Sequence, residues 1–218
     1  MKLYSYDESG NSYKVRLLMS LLGADYELVD VDLMTDAQHQ PDYLAVNPRG
    51  EVPALADGDV LLRDSAAILV YVAAKHGVTP WWSNDPAEQA EIVEWLAFAA
   101  SWVQYGVFTA RAVVSFGIPA NGLPPDYQEN LEGARIRGRR SLEILNEHLA
   151  TQDWLACNRA TIADIAVFPY VALAPMGDIA LDLYPKVRVW IDRVRSLPGF
   201  IPIAGLDDPE YRKPDRID

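Results

Sequence analysis

The sequence predicts an α/β unit over residues 1–76 followed by an all-α helical bundle over 86–206, with a linker at 77–85 and a tail at 207–218. Three observations predict it. Strand and helix signals alternate through residue 76, and a stretch holding Pro80, Trp81-Trp82 and Asp85-Pro86 then breaks the periodicity. Every apolar pattern beyond that stretch repeats with the period of a helix. At 218 residues and 50% apolar composition, the chain is long enough for two modest domains with a filled core.

The first run, Leu3-Tyr4-Ser5-Tyr6, is short and aromatic and reads as a strand. Val15, Leu18, Met19 and Leu22 recur at helical spacing, with Gly23 where a C-cap takes positive φ, so a helix is predicted from about residue 12 to residue 22. Tyr26, Leu28, Val31 and Leu33 nearly alternate, which predicts a strand over 25–33 with one buried face. Val52 to Ala56 and Val60 to Leu62 flank Asp57-Gly58-Asp59 and predict a hairpin. Asp64-Ser65 then caps a helix carrying Ile68, Leu69, Val72 and Ala73 and ending at His76-Gly77. This order, βαβ then ββα, is the layout of the thioredoxin fold.

Beyond the linker, residues 87–116 predict one long helix with Trp95, Phe98, Ala99 and Trp102 on a face, and 126–149 a second with Leu131, Leu142, Leu145 and Leu149. Thr161-Ile162-Ala163-Asp164 has the form of a capping box and opens a buried helix running towards Met176. A last helix over 185–197 is stopped by Pro198-Gly199, and the charged, Pro-containing tail is expected to be loosely ordered.

Thirty-one Asp and Glu against nineteen Lys and Arg give a net charge of −12, which disfavours nucleic acid and anionic membrane as partners. The opening residues lack a secretory pattern and no apolar run approaches a membrane span, so a soluble, cytoplasmic protein is expected. A single cysteine, Cys157, excludes an internal disulfide, a CxxC pair and a thiolate zinc site. His39, His76 and His148 show no ligand spacing, so no metal is expected, and any redox sulfur must arrive with a ligand.

Three clusters can carry chemistry. In Ser9-Gly10-Asn11-Ser12-Tyr13-Lys14-Val15, a strand runs straight into a helix, and the free amides of that helix favour an anion or a thiolate. Ser9 and Asn11 have the donors to help lower a thiol pKa from about 8.5, and they are equally the residues that cap helices anywhere. In Asn47-Pro48-Arg49-Gly50-Glu51-Val52-Pro53-Ala54-Leu55, a cis bond before Pro53 would turn the backbone of Val52 outward to pair with a peptide-like ligand; a plain turn is the alternative. Asp64-Ser65 can receive the ammonium and the carboxylate of an α-amino acid group, or act as a cap alone.

Together with the Thr161-Ile162-Ala163-Asp164 cap, these clusters resemble the glutathione transferase family over nearly the whole chain. The resemblance implies a thioredoxin-like domain that binds glutathione, a helical domain that supplies the second-substrate pocket, and a homodimer. It implies a cis Val52-Pro53 bond with Val52 pairing to the cysteinyl part of the tripeptide, and Asp64 and Ser65 at its γ-glutamyl end. It places Gln38, His39, Gln40 and Arg49 near the glycine carboxylate, Arg49 being the leading cation for this anionic ligand. Ser9 matches the serine of phi- and theta-like members, and Ser9 with Asn11 matches the Thr and Asn of nu-class bacterial members. The turn holds no Cys, unlike the beta class, and Tyr6 lies too close to Lys14 for the Tyr-type pattern.

The implied function is conjugation of the glutathione thiolate to a small hydrophobic electrophile, with Ser9 and Asn11 as catalytic residues. Tyr105, Phe108 and Arg111 on the long helix are expected to line the second-substrate pocket or, alternatively, to sit in the core and interface. Glutathione-dependent disulfide reduction is the second reading, and a non-catalytic binding module on the same fold the third. Glu51, Asp7 and Glu8 depart from what an anionic ligand wants and are expected to face solvent. Cys157 stands where relatives commonly have Gly and is expected to be inert packing.

Overall fold

The computed structural model describes residues 1–77, 80–118 and 128–211, with backbone only at 128–130. Its first part is a four-stranded mixed sheet ordered β2-β1-β3-β4, built from β1 (Lys2–Ser5), β2 (Glu27–Asp30), β3 (Ala54–Asp57) and β4 (Val60–Leu62). β1 pairs parallel with β2 and antiparallel with β3, and β3 pairs antiparallel with β4 across a turn in which Gly58 takes φ +58°. Between β1 and β2 runs α1 (Gly10–Leu22), closed by Gly23 in the left-handed conformation as its position predicts. A short α2 (Pro41–Leu44) precedes β3, and α3 (Ser65–Lys75) follows β4. This is the thioredoxin-like arrangement.

The predicted strand over 25–33 shrinks to four residues, three of them exposed, and Leu33 starts a 3₁₀ turn instead. β2 is an edge strand, so only one flank of it is paired and little of its side-chain surface is covered. The buried residue of that stretch is Val31, which joins Tyr43 and Val52 in a small cluster of its own.

The second part is helical: α4 (Pro86–Phe98), α5 (Thr109–Phe116), α6 (Gln128–His148), α7 (Ile162–Ala172) and α8 (Pro185–Arg195). The long helix expected over 87–116 is present, but Ala99–Phe108 is wound as a π-helix between α4 and α5. The wider turn of a π-helix keeps residues four and five apart on one face, and this face includes Ala100, Gln104, Tyr105 and Phe108, all of which line the main cleft. The opposite side meets α6 at Gly106 and Gly138, where a Cβ on Gly106 would lie 2.8 Å from the Gly138 nitrogen. The expected start of α6 at Asp126, linker residues 78–79 and tail residues 212–218 lie outside the described residues.

One apolar core spans both parts, from Leu3, Leu18 and Ile68 under the sheet to Phe168 and Trp190 between the helices. α7 is buried along its whole length. Thr161 and Asp164 form its predicted capping box, and Asp164 also accepts from Leu155 N–H at 3.1 Å and Trp190 Nε1 at 2.9 Å. The segment after α8 returns to α1, where the Tyr13 hydroxyl donates to the Ile201 carbonyl at 2.6 Å and the Ser20 hydroxyl to the Gly199 carbonyl at 2.7 Å. The described part of the tail is docked rather than loose: Asp207 accepts from Arg195, and Tyr211 donates to the Glu8 carboxylate. Among the described residues, no helix is long and apolar enough to cross a membrane.

Candidate functional site

Ser9 is the N-cap of α1: its φ and ψ are extended and its hydroxyl accepts the Ser12 N–H at 3.2 Å. Ser12 in turn accepts the Tyr6 N–H at 3.3 Å, so two hydroxyls weave the strand end into the helix start. Gly10 follows because Tyr170 of α7 leaves no room for a side chain; a Cβ there would lie 2.3 Å from Tyr170 Cε1. The Asn11 amide N–H faces the Tyr170 hydroxyl, and burial raises the pKa of that phenol. The amides expected to be free at this helix end are therefore partly taken, and side chains carry the remaining donors.

Asn11 supplies one of them. Its Oδ1 accepts from Lys14 Nζ at 2.8 Å and from the Ser65 hydroxyl at 3.4 Å, which leaves its Nδ2 with no bond to any described residue. Lys14 is 5% exposed, and its ammonium lies 4.9 Å from the centre of the Tyr170 ring. Burial pushes its pKa down to about 8, opposed by the nearby Asp64 carboxylate.

These groups edge a cleft of about 710 Å³ that both parts of the chain line. Across from Ser9, the Val52-Pro53 bond is cis. The Glu51 carbonyl before it is held by the Tyr43 hydroxyl and Asn47 Nδ2, each at 2.6 Å, while the Val52 N–H and C=O make no hydrogen bond to a described residue. Asp64 caps α3 through Oδ1, which accepts Ala66 N–H at 2.9 Å and Ala67 N–H at 3.1 Å, so the amides that remain for a ligand are fewer than the sequence suggested. Ser65 is buried beside Asn11, and Gln38 reaches the cleft with a buried Oε1 that has no hydrogen-bond partner among the described residues.

Gln40 and Arg49 do not line this cleft. Both are exposed; Gln40 donates to the Asp36 carbonyl at 3.3 Å, and the Arg49 backbone N–H to Asn47 Oδ1 at 3.1 Å. His39 is exposed as well and pairs with Asp36 at 2.6 Å. On the opposite wall, Tyr105, Phe108 and Arg111 all line the cleft. Tyr105 is half-exposed, and Phe108 leans on Tyr170 with ring centres 4.6 Å apart. Arg111 is buried, donates through Nη2 to the Glu8 carbonyl at 3.3 Å and lies 4.8 Å over the Phe116 ring, so it joins the two parts of the chain as well as facing the cleft.

The acidic residues divide. Asp7 is exposed and paired with Arg16, and Glu51 is exposed at the rim. Glu8 corrects the expectation that it faces solvent: it is buried, because the Tyr6 hydroxyl donates to Oε2 at 2.9 Å and the Tyr211 hydroxyl to Oε1. Burial pushes the Cys157 thiol up to about 11, and its φ of +57° explains why glycine suits the position. Sequence reasoning assigned Lys14 no role and did not single out Tyr170. The spacing of Asn11 and Lys14, one helical turn apart on one face, could have signalled Lys14; nothing local points to Tyr170.

Comparison with known proteins agrees with this geometry. The family model described as Glutathione S-transferase, N-terminal domain matches residues 1–74, and that described as Glutathione S-transferase, C-terminal domain matches 108–198. The disulfide-bond oxidoreductase YfcG of Escherichia coli is 30% identical over 201 residues, covering 87% of each chain. The crystal structure of a possible glutathione S-transferase from Rhodopseudomonas palustris is 36% identical and superposes with a TM-score of 0.82 over 92% of this chain and 96% of that one. A glutathione transferase family member from Pseudomonas fluorescens, crystallised with two glutathione bound, is 28% identical, with a TM-score of 0.79 over 91% of this chain and 89% of that one. On the fold, the cleft and these matches, the chain belongs to the glutathione S-transferase family.

Proposed function

We propose that the protein is a glutathione transferase that joins the glutathione sulfur to a small hydrophobic electrophile. One observation carries the reading: Ser9 and Asn11, Val52, and Ser65, drawn from three separate segments, converge on a single cleft whose far wall is the apolar face of the π-helix and α5. The unpaired backbone of Val52 and the unpartnered Gln38 Oε1 are the kind of groups a peptide-like ligand satisfies.

In this reading residues 1–76 hold glutathione and 86–206 hold the second substrate, and the chain works as a homodimer. Val52 pairs with the cysteinyl backbone, Asp64 and Ser65 receive the γ-glutamyl end, and Gln38 lies towards the glycine end. Glutathione supplies a thiolate that bonds to the electrophilic carbon while the leaving group departs with its electron pair. Ser9 Oγ–H and Asn11 Nδ2–H donate to the sulfur. A thiol pKa lowered by about two units is worth about 2.7 kcal/mol, within reach of two charge-assisted hydrogen bonds at about 1.5–3 kcal/mol each. Phe108 and Tyr105 hold the apolar body of the electrophile, so the chain provides activation and proximity and forms no covalent intermediate.

Disulfide reduction by the same thiolate is the second reading, favoured by the oxidoreductase relative and by the neighbour that holds two glutathione molecules. There the bound thiolate attacks one sulfur of a disulfide, forming a mixed disulfide and expelling the other sulfur as a thiolate; the thiolate of a second glutathione then attacks the glutathione sulfur of that mixed disulfide, expelling the remaining half of the substrate as a thiolate and forming glutathione disulfide. Turnover measured in parallel with a chlorinated nitroaromatic and with a small dialkyl disulfide separates the two. No heat of glutathione binding at millimolar ligand overturns both, and sedimentation equilibrium tests the dimer.

A further inference from the structure

Lys14 is a buried ammonium with no carboxylate within ion-pair distance among the described residues. Burying an unpaired charge is costly, and an apolar side chain at this position of α1 would avoid that cost. The groups around Lys14 are few: Asn11 on its own helix, Asp64 and Ser65 at the start of α3, and the Tyr170 ring from α7.

The two ends of a primary amide differ only in that one accepts and the other donates. A serine hydroxyl does both, so Ser65 alone serves either orientation of Asn11. An ammonium only donates. At 2.8 Å, Lys14 Nζ therefore admits Oδ1 alone, and Nδ2 is forced to the other edge of the amide plane.

We propose that Lys14 is a positioning residue: by holding Oδ1 of Asn11 it fixes the amide so that Nδ2, the end that donates, faces the sulfur of the bound ligand. Without Lys14 the amide turns over for part of the time and presents an oxygen lone pair to a thiolate, which raises the thiol pKa. The inference rests on the glutathione reading and names a residue that acts through Asn11 without touching the sulfur.

The test is the ultraviolet thiolate band of the glutathione complex followed against pH in the full chain, in Lys14→Met, Asn11→Ala and the double variant, with glutathione affinity measured alongside. The expected result for Lys14→Met is a bound-thiol pKa higher by about one unit and a kcat at neutral pH lower by about tenfold, with glutathione affinity within about twofold of the parent. Because Lys14 acts through Asn11, the double variant is expected to match Asn11→Ala alone. Lys14→Arg, which also only donates, is expected to restore the parental curve.

An unshifted titration in Lys14→Met, or a Lys14→Met effect that adds in full to that of Asn11→Ala, overturns the proposal and leaves the functional reading standing. Absence of glutathione binding by the parent chain overturns both. Should Lys14→Met not fold, Lys14→Gln carries the test, since its amide both donates and accepts and cannot select Oδ1; an unshifted curve there is equally fatal.

Discussion

The ring edge of Tyr170 occupies the space that a side chain on Gly10 would fill, with Cε1 2.3 Å from the position of the missing Cβ. The first turn of α1 and the middle of α7 are thereby locked together beside Ser9 and Asn11. Gly10→Ala is expected to cost about 1–3 kcal/mol, the usual range for overpacking a filled core, and to depress activity by shifting the turn. Adding Tyr170→Leu should recover part of that stability. Urea denaturation of the single and double variants checks it, and a double variant no better than Gly10→Ala would show that the clash lies elsewhere.

Ser9 has two jobs that separate by substitution. Its hydroxyl caps α1 at Ser12 N–H, so Ser9→Ala is expected to lose about 1 kcal/mol while Ser9→Gly loses only a few tenths. Both remove the same donor to the sulfur and should raise the bound-thiol pKa alike. Equal stability loss in the two would contradict the cap, and unequal thiol pKa values would contradict the shared chemical role.

Lys14 gives the fold a dependence on alkaline pH. Its pKa falls from 10.5 in the unfolded chain to about 8 when buried. Below about 8 both states hold the proton and the folded chain bears the full cost of a buried charge. Between about 8 and 10.5 the unfolded chain binds more protons, so this residue's contribution to stability rises with pH. A displacement of that size corresponds to about 3 kcal/mol. Lys14→Met should therefore be more stable than the parent at pH 7, by up to about 3 kcal/mol less the lost bond to Asn11, with the advantage shrinking as pH approaches 10. Paired denaturation curves at pH 7 and pH 9.5 decide it; a destabilised variant at pH 7 contradicts the account.

Asp164 is fully buried among donors: both the N–H and the hydroxyl of Thr161, Leu155 N–H and Trp190 Nε1. Burial pushes its carboxyl up to about 6 against the pull of these bonds. Asp164→Ala strands several donors in the core at about 1–3 kcal/mol each, so a loss of at least about 3 kcal/mol is expected by chemical denaturation. A loss under about 1 kcal/mol would mean that water or relaxation replaces the network.

Tyr105 is half-exposed at the rim of the cleft, so its removal tests the second-substrate wall without disturbing the core. Tyr105→Ala is expected to raise KM for an aromatic electrophile by about fivefold, the value of a lost aromatic contact of about 1 kcal/mol, with glutathione affinity unchanged. Steady-state kinetics with each substrate varied in turn separates this from a general loss of activity.

The local signals in the sequence carried the fold a long way. The 3.6-residue period of Val15, Leu18 and Leu22, the Asp57-Gly58 hairpin turn and the Thr161–Asp164 cap depend on neighbours within a few residues, and each stands where its spacing put it. What depended on distant chain did not show. The strand expected over 25–33 shortened because it forms the sheet's edge, and the π-helix within the long helix carries no distinct periodicity over ten residues.

Residue types at two helix starts and before Pro53 were enough to mark Ser9, Asn11, Val52 and Ser65 as candidates, each equally readable as a cap or a turn because that chemistry is local, and only the resemblance to glutathione transferases joined them into one site. Tertiary structure alone decided which groups those residues have left to give. Arg49 and Gln40 fell outside the cleft, Glu8 turned inward to two tyrosine hydroxyls, and Tyr170 arrived from 159 positions away to claim the backbone N–H of Asn11. A hydrogen-bonding group can be spent only once, and its partner is chosen by packing between elements that the linear chain keeps apart.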